Sequence, residues 1–304
     1  MTSLKTKRLE NGAVEILDFD IKSITKEVAK EVREVLLDEL VVVLRQQDTN
    51  PVYQARLCHG IGDTISPHWE LTRTIDGKNL ILKEQPNPWI WKENEPFPVM
   101  RVTGERKNGE YSGIFPRGKL DWHCNLNYPT NQDGVSLQGI RAVEGTRTSW
   151  INTSLAYKEM PKDLLERVKG NHATFKYNPL RWADIDNPLQ KKVMLSNIKK
   201  YSMYLEQENS NGTCGIYLFS HNDCNIPNDS KLKGDLEDFL FQEKYIYHHD
   251  WQVGDIVLSD QLLTLHKRRE EKDSVFEKRL LNRLTFNLSN RDRDIELSNY
   301  SLNN

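Results

Sequence analysis

Cysteine is scarce in this chain: four in 304 residues, too few and too scattered for a disulfide scaffold. Cys58, Cys124, Cys214 and Cys224 show none of the short paired spacings of a zinc ribbon or a dithiol redox site, and they read as ordinary reduced thiols. Glycine and proline, 16 and 12, are too few for a collagen-like or low-complexity chain. Neither sign of charge dominates. Against 44 Asp+Glu stand 42 Lys+Arg, a net charge of -2, which disfavours an electrostatic nucleic-acid binder unless the basic residues gather on one face. Long apolar runs are also missing, since LVVVL at 40–44 falls far short of the roughly 20 residues that span a bilayer. The first residues, MTSLKTKRLENGAVEILDFD, contain no continuous apolar stretch of the kind that leads a signal peptide. A soluble, cytoplasmic protein without nucleic-acid or membrane partners is the expectation.

What is present is a pattern of elements. Ile24, Val28, Val32, Val35 and Leu36 recur at helical spacing behind Ser23 or Thr25 as candidate caps, and ELVVVLRQQ follows as a buried strand. Between 51 and 120, repeated prolines and short apolar runs predict short strands and long loops. Helices are expected at 161–168, 188–208 and 231–243, and a loop near ENSNGTCG. Gly254-Asp255 signals a turn before IVLS, and RLTFNL alternates as a strand does. No internal repeat or long linker divides the chain, so one domain is expected over 1–304, with a loop-rich and helical insertion around 155–245.

The chemically suggestive residues are His123 in LDWHCNLNYP and His266 in LLTLHKRRE, with Arg279 and Arg283 downstream. Two imidazoles joined by fold closure suit a borderline metal such as Fe(II), and an arginine reaching the same cavity could clamp a carboxylate. Each histidine taken alone is equally consistent with packing, and Arg279 with a solvated charge run. His59 and His68, with Trp69, Trp89 and Trp91, could line a substrate entrance or simply pack long loops. In His248-His249, adjacent strand positions face opposite sides, so one should be packed and one exposed.

The strings GKLDWHCNLNYP, GTRTSWIN, WQVGDIVLSDQLLTLH and KRLLNRLTF, with ELVVVLRQQ nearer the N-terminus, resemble the taurine dioxygenase (TauD/TfdA-like) family of Fe(II)- and 2-oxoglutarate-dependent oxygenases. The resemblance covers most of the chain and implies a mainly β fold, a double-stranded β-helix or jelly-roll core with flanking helices and long inserted loops. It places metal ligation on His123 and His266, the far carboxylate of 2-oxoglutarate on Arg279 and Thr148, and an anionic substrate group on Arg283. Fe(II), the cosubstrate 2-oxoglutarate and O2 follow as the implied cofactors and partners. The implied reaction is hydroxylation of a small amino acid or carboxylate metabolite through hydrogen abstraction by a ferryl species.

The departure lies at position 125. The family follows its first histidine with His-x-Asp or His-x-Glu, whereas this chain has His123-Cys124-Asn125. Asn125 is nearly isosteric with aspartate and offers an amide oxygen to the metal but no negative charge, so the implied ligand set is His123, Asn125 and His266. The substitution also admits a catalytically inactive jelly-roll protein that binds a metabolite or a partner. Desaturation, cyclisation and halogenation are further outcomes of related chemistry; halogenases need an empty space where Asn125 stands. Asp121, two residues before His123, would share its side of an extended strand and is a conceivable substitute ligand or a rim residue, while Cys124 should face away and pack.

Overall fold

The computed structural model describes residues 4–62, 72–75, 78–81, 87–125, 133–176, 200–218 and 223–288. Two sheets carry the architecture. The larger has seven strands: β1 (Thr6–Arg8), β2 (Val14–Ile16), β3 (Val41–Leu44), β4 (Met100–Val102), β6 (Gly134–Arg141), β9 (Ile256–Asp260) and β11 (Leu280–Phe286), in the order β1-β2-β3-β9-β6-β11-β4. The smaller has four: β5 (Leu120–His123), β7 (Arg147–Asn152), β8 (Ile246–Asp250) and β10 (Thr264–Arg268), in the order β8-β7-β10-β5.

Helix α1 (Lys26–Glu39) forms where the apolar stripe predicts it. The Thr25 hydroxyl accepts from the Val28 amide, and Ala29, Val32, Val35, Leu36 and Leu37 are buried. Helix α2 (Pro51–Ile61) lies where loops and short strands are expected. Asn50 caps it through the Val52 amide and Pro51 occupies its first turn, where a missing N–H costs nothing, so this proline starts a helix. The two helices pack closely at Gly60, where a Cβ would stand 2.4 Å from that of Ala29.

The core is layered. Val42 and Leu44 of β3 face the cluster beneath α1 and α2, while Val41 and Val43 face a second cluster with Leu137, Trp150, Trp251 and Leu281. The uninterrupted LVVVL run is therefore a strand buried on both faces. A third cluster packs α3 (Lys162–Val168) and α4 (Leu232–Leu240) with Trp122, Cys124, Ile151 and Leu265. Gly254, at φ 87°, makes the expected turn before β9.

The expectation of a mainly β jelly-roll core is corrected. The fold is mixed α/β, with open sheets: β1 and β4 remain the edges of the larger sheet, β8 and β5 those of the smaller, and no described ladder joins the edges into a closed barrel. The physical reason lies in the helices, which take over apolar surface that alternating strands alone were expected to bury. Residues 200–204 form a strand paired with His172–Lys176, although a helix is expected over 188–208; positions 188–199 lie outside the described residues. Among the described residues no helix is long and apolar enough to cross a membrane.

Candidate active site

Strand register brings distant residues together. In the smaller sheet His266 of β10 stands opposite His123 of β5 on one side and Trp150 of β7 on the other. Two residues along, Arg268 is opposite Thr148. Because side chains alternate along a strand, His266 and Arg268 point to the same face. Arg283 and Leu281 of β11 and Leu137 of β6 approach from the larger sheet. All but Trp150 line one cavity of about 40 Å³, together with Asn125, Arg279, Phe115, Leu120 and Val102.

The histidine rings lie with centroids 4.2 Å apart. His123 Nδ1 is 2.6 Å from the Asp121 carbonyl, which only accepts; Nδ1 therefore donates, and Nε2 is the ring nitrogen left for the cavity. Burial, with the charges of His123 and Arg283 nearby, holds the His266 pKa well below the usual imidazole range, so this ring is neutral. Trp150 stacks against it, with centroids 6.3 Å apart and planes 26° off parallel. Asn125 Nδ2 lies 3.2 Å from His266 Nε2 and 3.1 Å from Gln261 Oε1.

Three guanidinium groups line the cavity, and no carboxylate does so among the described residues. Arg279 is 1% exposed; its Nε and Nη2 are buried without a hydrogen-bond partner among the described residues, and burial lowers its pKa to about 10. Arg268, also buried, donates to the carbonyls of Phe115, Arg117 and Gly118 and so ties down the segment that walls the cavity. Burial and the charge of Arg279 bring its pKa down to about 9. Both guanidiniums sit over the Phe276 ring, at 4.6 and 4.8 Å. Arg283 Nη1 lies 3.1 Å from Met100 Sδ. The Thr148 hydroxyl accepts from Trp251 Nε1 at 2.9 Å, which leaves its own proton to donate elsewhere.

Thus His123, Asn125, Thr148, His266, Arg279 and Arg283 surround one space. Asp121 does not join them: its carboxylate is more than half exposed and pairs with Lys119 at 3.5 Å. Cys124 packs in the core. His249 is buried and His248 more open, Trp89 and Trp91 pack beside α1 and α2, and His68 and Trp69 lie outside the described residues. Sequence reasoning missed Arg268, Gln261, Trp150 and Trp251. For Arg268 a signal existed in the His-x-Arg spacing, which puts both side chains on one strand face.

The family model for the taurine catabolism dioxygenase TauD, TfdA family matches residues 5–285. The chain belongs to this family. Membership places it among the oxygenases at the level of the family. No curated protein sequence matches the chain. Among solved structures, it is similar to AAD-2 in complex with Mn(II) and N-oxalylglycine, with a TM-score of 0.66 and 16% identity over 93% of this chain and 97% of that one. It is also similar to a taurine dioxygenase from Burkholderia xenovorans, with a TM-score of 0.67 and 17% identity over 93% and 90% of the two chains. At such identities the likeness is one of fold. Among the described residues no group of three or more His, Cys, Asp or Glu side chains could hold a metal ion.

Proposed function

We propose that this protein is an Fe(II)- and 2-oxoglutarate-dependent oxygenase that hydroxylates a small amino acid or carboxylate metabolite. The observation that carries the reading is Arg279, a buried cation with two nitrogens unpartnered among the described residues, in a cavity that His123 and His266 share. An unpaired buried charge is costly, and a ligand carboxylate is the group that would complete it. AAD-2, similar in fold, is complexed with Mn(II) and the small diacid N-oxalylglycine, which supports the same pairing of metal and carboxylate here.

His123 and His266 would hold the metal through Nε2. The Asp121 carbonyl keeps the His123 ring in the required tautomer, and Trp150 fixes the plane of His266. Arg279 and the Thr148 hydroxyl would bind the far carboxylate of 2-oxoglutarate, with Trp251 orienting Thr148 as a donor. Arg283 would hold an anionic group of the substrate. When bound, Fe(II), 2-oxoglutarate and O2 supply the oxidising chemistry, with cosubstrate converted to succinate and CO2 as one oxygen atom enters the substrate. The chain supplies position, a fixed positive field and exclusion of water, as the apolar walls Val102, Leu137 and Leu281 indicate.

At position 125 the family carboxylate is replaced by an amide, and this favours a second reading, a metabolite-binding protein without turnover. An anaerobic Fe(II) titration of metal-free protein, with and without 2-oxoglutarate, separates the two. A saturable visible charge-transfer band that needs both components and disappears in His266→Ala is expected. A folded protein that gives no band would shift the function to binding alone.

A further inference from the structure

Gln261 sits at the turn between β9 and β10, fully buried, and its Oε1 accepts two hydrogen bonds from one residue. The first comes from the Asn125 backbone N–H at 2.9 Å, the second from Asn125 Nδ2 at 3.1 Å. A backbone N–H can only donate, so it settles which end of the Gln261 amide faces Asn125; Gln261 Nε2 then donates to Ser259 Oγ at 2.7 Å. With Oε1 so placed, an oxygen of residue 125 pointing the same way would meet another oxygen. The amide nitrogen of Asn125 must therefore face Gln261, and that same nitrogen lies 3.2 Å from His266 Nε2.

We propose that Gln261 is a positioning residue that locks Asn125 as a hydrogen-bond donor beside the two histidines, with its carbonyl oxygen turned away from ligand duty. The chain thus carries two changes that act together: an amide at position 125, and an acceptor at position 261 that would repel a carboxylate placed there. The metal would be held by His123 and His266; since the single lone pair of His266 Nε2 cannot serve both a metal and an N–H, metal binding would turn the Asn125 N–H from that nitrogen to a solvent or substrate atom on the same side. Restoring a carboxylate at 125 alone would bring it against Gln261 Oε1 and recover little affinity. Relieving Gln261 as well would recover much more.

The inference rests on the metal-site reading above, and the test separates the two. Full-length wild type, His266→Ala, Asn125→Ala, Asn125→Asp, Gln261→Met and Asn125→Asp/Gln261→Met are titrated with Mn(II) alone, with free Mn(II) followed by its electron paramagnetic resonance signal. Expected are saturable wild-type binding abolished in His266→Ala, and affinity in Asn125→Ala within about threefold of wild type. Asn125→Asp should gain less than about threefold, and the double variant at least tenfold over Asn125→Asp. A merely structural role for Gln261 would instead make the double variant bind more weakly than Asn125→Asp. If thermal melts show that Gln261→Met does not fold, Ser259→Ala, which frees the other end of the Gln261 amide, replaces it, and a gain over Asn125→Asp of at least threefold is expected. A tenfold loss in Asn125→Ala would make Asn125 an oxygen ligand and overturn the proposal. Additive effects of the two substitutions would overturn it too, while leaving the metal site standing. Absence of Mn(II) binding in every chain, wild type included, would overturn both.

Discussion

Two buried charged regions lie near each other and are built on opposite rules. In one, Asp255 stands between Arg45 at 2.6 Å and His249 Nε2 at 3.1 Å, and Tyr247 meets His249 Nδ1 at 2.9 Å. Although burial pushes the Asp255 carboxyl up, His249 and Arg45 together hold it below the ordinary carboxylate range. Burial depresses the His249 pKa, so the cluster amounts to one cation facing one anion. In the other region Arg268, Arg279 and Arg283 line a cavity without a described carboxylate. His249 and Arg268 both stand opposite Thr148 in strand register, so only the width of one strand separates the two arrangements. In the first region the charge is balanced within the folded chain; in the second, among the described residues, it is not.

The largest effect expected from this contrast is on the balanced side. Asp255→Ala would take away the acceptor that Arg45, His249 and the Gln252 amide share and should cost about 3–5 kcal/mol in urea unfolding, at about 1.5–3 kcal/mol for each hydrogen bond to a charged group. The affinity of the refolded protein for 2-oxoglutarate in the presence of Mn(II) should stay within about threefold. A comparable loss of ligand affinity would mean that the two regions are one unit.

On the unbalanced side the result should invert. Arg279→Leu removes a buried cation with unpartnered nitrogens, so unfolding stability should hold or rise. 2-Oxoglutarate affinity should fall about 100-fold, near 2.7 kcal/mol, in calorimetric titration. If stability dropped by several kcal/mol with affinity intact, the cavity would have to be classed with the Asp255 cluster.

A third buried site sharpens the comparison with the opposite sign. Asp260 is fully buried near Asp133, and burial first, then Asp133, pushes its carboxyl up to about 7. The unfolded carboxyl gives up its proton near pH 3.9, whereas the folded one keeps it to about 7. Between these values the native state holds more protons, so this group lowers stability as pH rises. Asp260→Asn retains an oxygen for the Leu262 and Leu263 amides and removes the charge. It should raise stability by on the order of 1–3 kcal/mol at pH 8 and leave it nearly unchanged at pH 4. An equal shift at both pH values would show that charge is not the cause.

Much of this arrangement was legible in the residues, unevenly. LVVVL reads as a strand because an uninterrupted apolar run of that length suits burial on two faces, and α1 reads from its stripe and cap. Helix α2 escaped because the repeated prolines and short apolar runs between 51 and 120 point to loops and short strands for the whole stretch, whereas Asn50 makes Pro51 a first-turn residue. The jelly-roll expectation failed because alternating strands do not say whether an edge is paired or left open beside helices. At the site, local strings suggested the residues by resemblance, and strand register brought them to one cavity. Nothing local could reveal Gln261, whose contact with Asn125 spans 136 positions and depends on which end of an amide faces a backbone N–H.

The smallest effect tests the seam between the two regions. Thr148 and His249 are partners in strand register, and Trp251, whose ring meets His249 edge-on with centroids 4.5 Å apart, donates its indole N–H to Thr148. Trp251 therefore ties the cavity wall to the balanced cluster. Thr148→Val keeps the shape and removes the acceptor, leaving a buried indole N–H unmet at about 1 kcal/mol in unfolding. On the cavity side, in the proposed arrangement, it would remove one neutral hydrogen bond to the cosubstrate carboxylate, so affinity should fall about three- to tenfold, well short of the loss in Arg279→Leu. Thr148→Ser keeps the hydroxyl and should restore most of the affinity. If Thr148→Val lost stability but no affinity, the hydroxyl would serve Trp251 alone, and the charged wall of the cavity would hold its ligand without it.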